Sequence, residues 1–117
     1  MKTIIAGCRT ITDPQILLDA LKYVTWDITE VVCGMAPGVD TLGLNWANDN
    51  RIPVKRFPAN WKKHKNGAGP IRNSEMAEYS DALLAIWDSK STGTADMINK
   101  AVAKGMKIFV YFGESNA

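Results

Sequence analysis

The chain has 117 residues, 46% of them hydrophobic and 22% charged, with 14 basic and 12 acidic side chains and a net charge of +2. That balance excludes a disordered chain, which has less apolar content and more net charge, and the length encloses one hydrophobic core rather than two. No apolar run approaches the roughly 20 residues that cross a bilayer, and the N-terminus enters a strand-like segment with no cleavage site, so we expect a soluble, cytoplasmic protein with no membrane partner.

Lys2 to Gly7 reads as a short buried strand ending in glycine. Thr12-Asp13-Pro14 then supplies a capping side chain and a proline for the first helical position, and Ile16, Leu17, Ala20, Leu21 and Val24 follow at helical spacing. Glu30 to Gly34 is a second strand, again running into glycine. After Ala36-Pro37-Gly38 a helix through about Asp49 carries Val39, Leu42 and Trp46 inward. Pro53 to Phe57 is a third strand, Pro58 to Gly69 an irregular basic loop, and about Pro70 to Tyr79 a third helix of weak periodicity. Asp81 to Trp87 is almost wholly apolar, as a strand covered on both faces should be. A polar loop leads to Gly93 and a helix with Met97, Ile98, Ala101 and Val102, Gly105 stops it, and Lys107 to Phe112 is the last strand.

Five strands alternating with four helices predict an α/β protein: a single Rossmann-like domain over residues 1–112, with a five-stranded parallel sheet and helices on both faces. Residues 113–117 read as a loose tail. In such sheets ligands bind outside the carboxyl ends of the strands. The loops leaving those ends, Gly7 to Asp13, Gly34 to Gly38, Pro58 to Gly69 and Asp88 to Gly93, hold most of the glycine and the unusual residues. Charge is uneven as well. Arg51 to Ser74 contains seven basic residues (Arg51, Lys55, Arg56, Lys62, Lys63, Lys65, Arg72) and no acid, so the remaining 93 residues carry a balance of −5. Such a block fits an anionic partner or a solvated basic loop. Cys8 and Cys33, 25 residues apart, have neither metal-ligand nor redox-pair spacing and read as reduced thiols.

Two loops on this rim open helices with glycine. Gly34 to Asp40 brings backbone N–H groups to a helix start, which suits an anion or an ordinary tight turn; Asp40 is then a first-turn acid or a holder of a ribose hydroxyl. It is neither the six-residue dinucleotide fingerprint nor a Walker loop. Ser89-Lys90-Ser91-Thr92-Gly93-Thr94 gathers hydroxyls, a lysine and bare amides after a buried strand, a phosphate cradle in which Ser91 or Thr92 also serves as N-cap. Arg9 and Arg72 offer rigid forks for phosphate. Trp61, in a polar loop, either stacks on a base or anchors the loop. Trp46 and Trp26 read as core or helix-end plugs, and His64 has no partner in sequence that would make it a metal ligand.

Gly7-Cys8-Arg9, Gly34 through Asp40, Pro58-Ala59-Asn60-Trp61, Gly69-Pro70-Ile71-Arg72-Asn73 with Met76, and Trp87-Asp88-Ser89 through Ser91 with Gly93-Thr94, Met97 and Ile98 occur in one order along most of the chain. In that pattern the sequence resembles the SLOG superfamily, and within it the YspA-type, YpsA-related branch. It is more distantly similar to the "lonely guy" phosphoribohydrolases and to DprA/Smf. The resemblance implies a nucleotide pocket formed by Gly7, Arg9, Gly34, Gly38, Asp40, Trp61, Arg72, Asn73, Asp88, Ser89, Ser91, Gly93 and Thr94. The chain departs from the branch at Met35 and Ser89, where glycine is usual, at Pro37, where arginine is, and at Asn60, where aspartate is. Arg72-Asn73-Ser74-Glu75-Met76 is similar to the phosphoribohydrolases' Arg-Lys-x-x-Met segment, but their two glutamates are replaced here by Asp96 and Met97.

The leading expectation is therefore a module that binds a nucleotide or nucleotide-derived, for instance NAD-derived, small molecule as a sensor, carrier or sequestering protein. The alternative is a phosphoribohydrolase cleaving the N-glycosidic bond of nucleoside 5′-monophosphates, with Arg72 and Asp96 as catalytic residues and Asp40 or Asp88 as substitute carboxylates. A second alternative, DprA-like single-stranded DNA binding, is set against the acids elsewhere in the chain, so nucleic acid is not the expected partner. We expect no metal and no cofactor, and the family suggests a homodimer or higher homo-oligomer.

Overall fold

Residues 1–114 are described by a computed structural model, in which five strands are joined by five α-helices, two of them between the third and fourth strands. They are β1 (Lys2–Gly7), α1 (Pro14–Leu21), β2 (Glu30–Cys33), α2 (Val39–Asp49), β3 (Val54–Arg56), α3 (Trp61–His64), α4 (Ala68–Tyr79), β4 (Ala82–Trp87), α5 (Thr92–Ala103) and β5 (Lys107–Phe112), with a 3-10 turn at Lys65–Gly67. All strand pairs are parallel and the order is β3-β2-β1-β4-β5. Strand order thus reverses between β1 and β4, whose register runs from Thr3 opposite Ala82 to Gly7 opposite Ile86.

The sheet is apolar on both sides because each side has its own helical layer. Ile5, Val31, Leu84 and Ile86 pack against Leu17 and Ala20 of α1 and Val39, Leu42 and Ala47 of α2. On the opposite face Ile4, Ala6, Val32, Leu83 and Ala85 meet Met76 and Ala77 of α4 and Met97 and Ala101 of α5. Period-2 alternation across a doubly covered sheet explains why β4 reads as an unbroken hydrophobic run. Trp46 is half-buried against the first of these cores. The Trp26 indole donates to Thr3 Oγ1 at 2.9 Å and so plugs the end of the sheet beyond α1. Cys8 and Cys33 are buried and unpaired.

Two segments differ from expectation. The basic loop is largely helical: Asn60 Oδ1 accepts the Lys63 N–H at 3.1 Å and nucleates α3, and Lys65, at φ +50°, breaks it. α4 then starts at Ala68 rather than Pro70, because a proline in the first turn gives up an N–H that has no helical acceptor in any case. The described residues accordingly form five α-helices where four were expected. α1 is the shorter surprise: it ends at Leu21, and Val24 packs on the core from the segment that follows. Residues 115–117 of the expected tail lie outside the described residues; Gly113, at its start, donates to the Trp87 carbonyl at 3.0 Å. Among the described residues no helix is long and apolar enough to cross a membrane.

Candidate ligand-binding site

A cavity of about 690 Å³ opens at the carboxyl ends of β1 and β4, where the strand order reverses. β1 contributes Gly7 and, beyond it, Arg9; the loop before α2 contributes Ala36, and α2 contributes Asp40. Trp61 of α3 forms one wall, Arg72 and Asn73 of α4 another, and the start of α5 from Ser91 to Thr94 the third, with Lys90 before it and Asp96 one turn on. The floor is lined by Met76 and Met97.

Arg72 is the deepest cation, 9% exposed. Its guanidinium donates through Nη1 to the Gly34 carbonyl and through Nε to Asn73 Oδ1 at 3.0 Å. Among the described residues Nη2 has no protein partner. Asn73 passes the restraint on, since its Nδ2 donates to Asp96 Oδ2 at 3.0 Å and to the Gly93 carbonyl at 3.3 Å. Lys100, one turn further along α5, donates to both Asp96 oxygens at 2.7 and 2.6 Å. A chain of polar contacts therefore runs from Lys100 through Asp96 and Asn73 to Arg72, and fixes the plane of the guanidinium.

Asp40 differs from Asp96 in every respect. It is 5% exposed, and Oδ2 accepts the Ala36 N–H at 3.3 Å. Burial pushes its carboxyl up from 3.8 to about 6, against the opposing pull of that N–H and of Arg72, Gly7 and Arg9. Gly34 makes this neighbourhood: a Cβ there would stand 2.8 Å from Asp40 Oδ2 and 2.9 Å from Arg72 Nη1. The Ala36 amide of this loop thus serves the protein's own carboxylate, which takes the place expected for a bound anion at the start of α2. Gly38 caps that helix at φ +78° and ψ −128°, where a Cβ would lie 2.3 Å from the Cys8 carbonyl. Beside it Val39 N–H donates to the same carbonyl at 3.2 Å, which ties the start of α2 to the end of β1.

The start of α5 is open by contrast. Ser91 is the N-cap, accepting the Thr94 N–H at 3.4 Å and sharing a hydrogen bond with its hydroxyl at 3.0 Å. A Cβ on Gly93 would meet nothing within 4 Å, and the first turn of the helix, Thr92 to Thr94, lines the cavity. Capping and anion access coexist here, because the cap hydroxyl serves one N–H and leaves the others.

Of the expected site residues, Gly7, Arg9, Asp40, Trp61, Arg72, Asn73, Ser91, Gly93, Thr94 and Asp96 line one cavity. Gly34 and Gly38 shape its wall from behind. Asp88 and Ser89 stand apart, on a shallower hollow with Trp87 and Phe112. Asp88 Oδ1 accepts the Lys90 and Ser91 N–H groups at 2.8 Å each, which holds its carboxyl below the usual range and makes it the clamp of the loop. Of the seven residues in the basic block, Arg72 alone reaches the cavity; Lys62, Lys63 and Lys65 are exposed elsewhere on the surface. Lys100 was not anticipated, although its position four residues after Asp96 on a helix signals the pair. Asn66 also lines the cavity and carries no distinguishing pattern in the sequence, and Ala36 lines it from within the Gly34 to Asp40 segment.

Met35 and Ser89, two positions where the resembling branch has glycine, both adopt left-handed backbone, at φ +62° and +68°. The backbone at both positions is of the kind that glycine adopts without strain. Comparison with curated proteins and with solved structures finds no match. A family model described as the YspA, cpYpsA-related SLOG family matches residues 1–64, more than half of the chain, and the protein belongs to that family.

Proposed function

We propose that the cavity binds a phosphorylated nucleotide or nucleotide derivative, with the protein acting as a sensor, carrier or sequestering module for it. The observation that carries the reading is the meeting of a buried guanidinium, with Nη2 uncommitted, and the open N-terminus of α5 in one cavity. Arg72 and the α5 amides would hold phosphate, with Lys90 and Arg9 adding charge at the rim. Trp61, 50% exposed on the cavity wall with the Arg9 guanidinium 6.0 Å from its ring centroid, would stack against a base. Family membership supports a nucleotide-related role. For the hydrolase alternative, Asp96 lines the cavity, but its pairing with Lys100 offsets the negative charge it would set against a ribose.

Calorimetric titration with the adenosine, guanosine, cytidine and uridine 5′-monophosphates tests the proposal. At least one should bind, and Arg72→Met should weaken it roughly 10- to 100-fold, the worth of a charge-assisted contact. Absence of binding by all four and by inorganic phosphate refutes it. Release of free base, followed by chromatography and abolished by Asp96→Asn, would replace binding by catalysis.

A further inference from the structure

The cavity holds two carboxylates in opposite circumstances. Asp96 is neutralised by Lys100 and anchored by Asn73. Asp40 is buried and shares its nearest cations, Arg72 and Arg9, with the space a ligand would enter. The groups facing it from neighbouring elements are Arg72 from α4, Arg9 from beyond β1 and the Cys33 thiol at the end of β2. Asp40 and Arg72 crowd the same point at Gly34 but form no ion pair among the described residues, so the fixed contacts that favour the charged carboxylate are backbone N–H donors, that of Ala36 first.

An anion entering the cavity draws on the same guanidinium groups and adds like charge near a carboxylate that water does not screen. Both effects favour the neutral carboxyl. We propose that anionic ligands bind this site together with a proton, which is taken from solvent by the carboxylate of Asp40. The inference rests on the nucleotide reading above. Its consequence is a site that tightens as pH falls, with Asp40 as the sensing group and Arg72 as the shared cation. The carboxyl already titrates near pH 6 without ligand, so the coupling operates near neutrality, where a further upward displacement changes its protonation most.

The test is calorimetry at pH 7 in buffers of different ionisation enthalpy, using whichever of the four nucleoside monophosphates binds most tightly. The wild type should take up roughly half a proton or more per ligand beyond Asp40→Asn, in which any proton carried by the ligand's own phosphate remains as the baseline. Wild-type affinity should fall roughly four- to tenfold more than that of the variant between pH 6.5 and 8. A second measurement does not depend on the variant folding: the ¹³C carboxyl resonance of Asp40 in aspartate-labelled wild-type protein should titrate at higher pH with ligand than without. Binding with equal proton counts in the two proteins, or an Asp40 titration that the ligand does not move, overturns the coupling and leaves the nucleotide site standing. Failure of all four monophosphates and of inorganic phosphate to bind removes both.

Discussion

Replacing Asp40 by asparagine should make the protein more stable, and only above pH 4. The substitution is isosteric and keeps an oxygen to accept the Ala36 N–H. What it removes is the burial of a charge. At 1.36 kcal/mol per pH unit, raising a carboxyl from 3.8 to about 6 costs the folded state about 3 kcal/mol once both folded and unfolded chains are ionised. Below pH 4 the group is protonated in both states and the variant gains nothing. Between pH 4 and 6 the unfolded chain releases its proton first, so the wild type loses stability as pH rises, and above about pH 6.5 the difference is constant. Urea unfolding followed by tryptophan fluorescence should therefore give equal midpoints for the two proteins at pH 3.5 and a clear advantage for the variant at pH 8. In thermal unfolding the same difference is roughly 10 °C for a chain of this size. A variant that is no more stable than wild type at pH 8, or whose advantage is the same at both pH values, refutes the account of Asp40 as a buried, cost-bearing carboxylate.

Gly38→Ala should destabilise by about 3 kcal/mol or more in urea unfolding, since its backbone lies in a region nearly reserved for glycine and the new methyl would meet the Cys8 carbonyl rather than a yielding side chain. Ser89→Gly should act in the other direction, by up to about 1 kcal/mol, because it relieves left-handed strain at a position whose side chain has no hydrogen-bond partner among the described residues. Trp61→Ala should weaken nucleotide binding by about 1–3 kcal/mol, the usual worth of a stacked base, while leaving the affinity for inorganic phosphate unchanged in the same titration.

The bounds of β1 and β5 agree between sequence and structure because hydrophobic strands end abruptly at Gly7 and Gly113. The switch-point cavity was also legible, since parallel crossovers confine the post-strand loops to one rim. α3 was not. Its Lys62-Lys63-His64 run shows no apolar period, and its one start signal is the Asn60 cap. Asp88 is instructive in the same way. A carboxylate on a rim loop reads as a ligand contact, yet amides two and three residues later were nearer competitors for its oxygen, and such local turns are invisible to a motif read residue by residue. The difference between Asp40 and Asp96 could not be seen at all from sequence, since it depends on how deep α2 is pressed under Gly34 and not on residue type.

The two borders of the sheet send different messages to a passing chain. β3 presents Lys55 and Arg56, both exposed, on a strand of only three residues. β5 runs to six residues with Ile108 to Phe112 apolar throughout, no proline, and Phe112 66% exposed. Charge and brevity deter strand addition at the first border, and nothing comparable does so at the second. Under crowding or heat, self-association through backbone pairing is therefore directed, among the described residues, to the β5 border, and a lysine in place of the exposed Phe112 would deter it there.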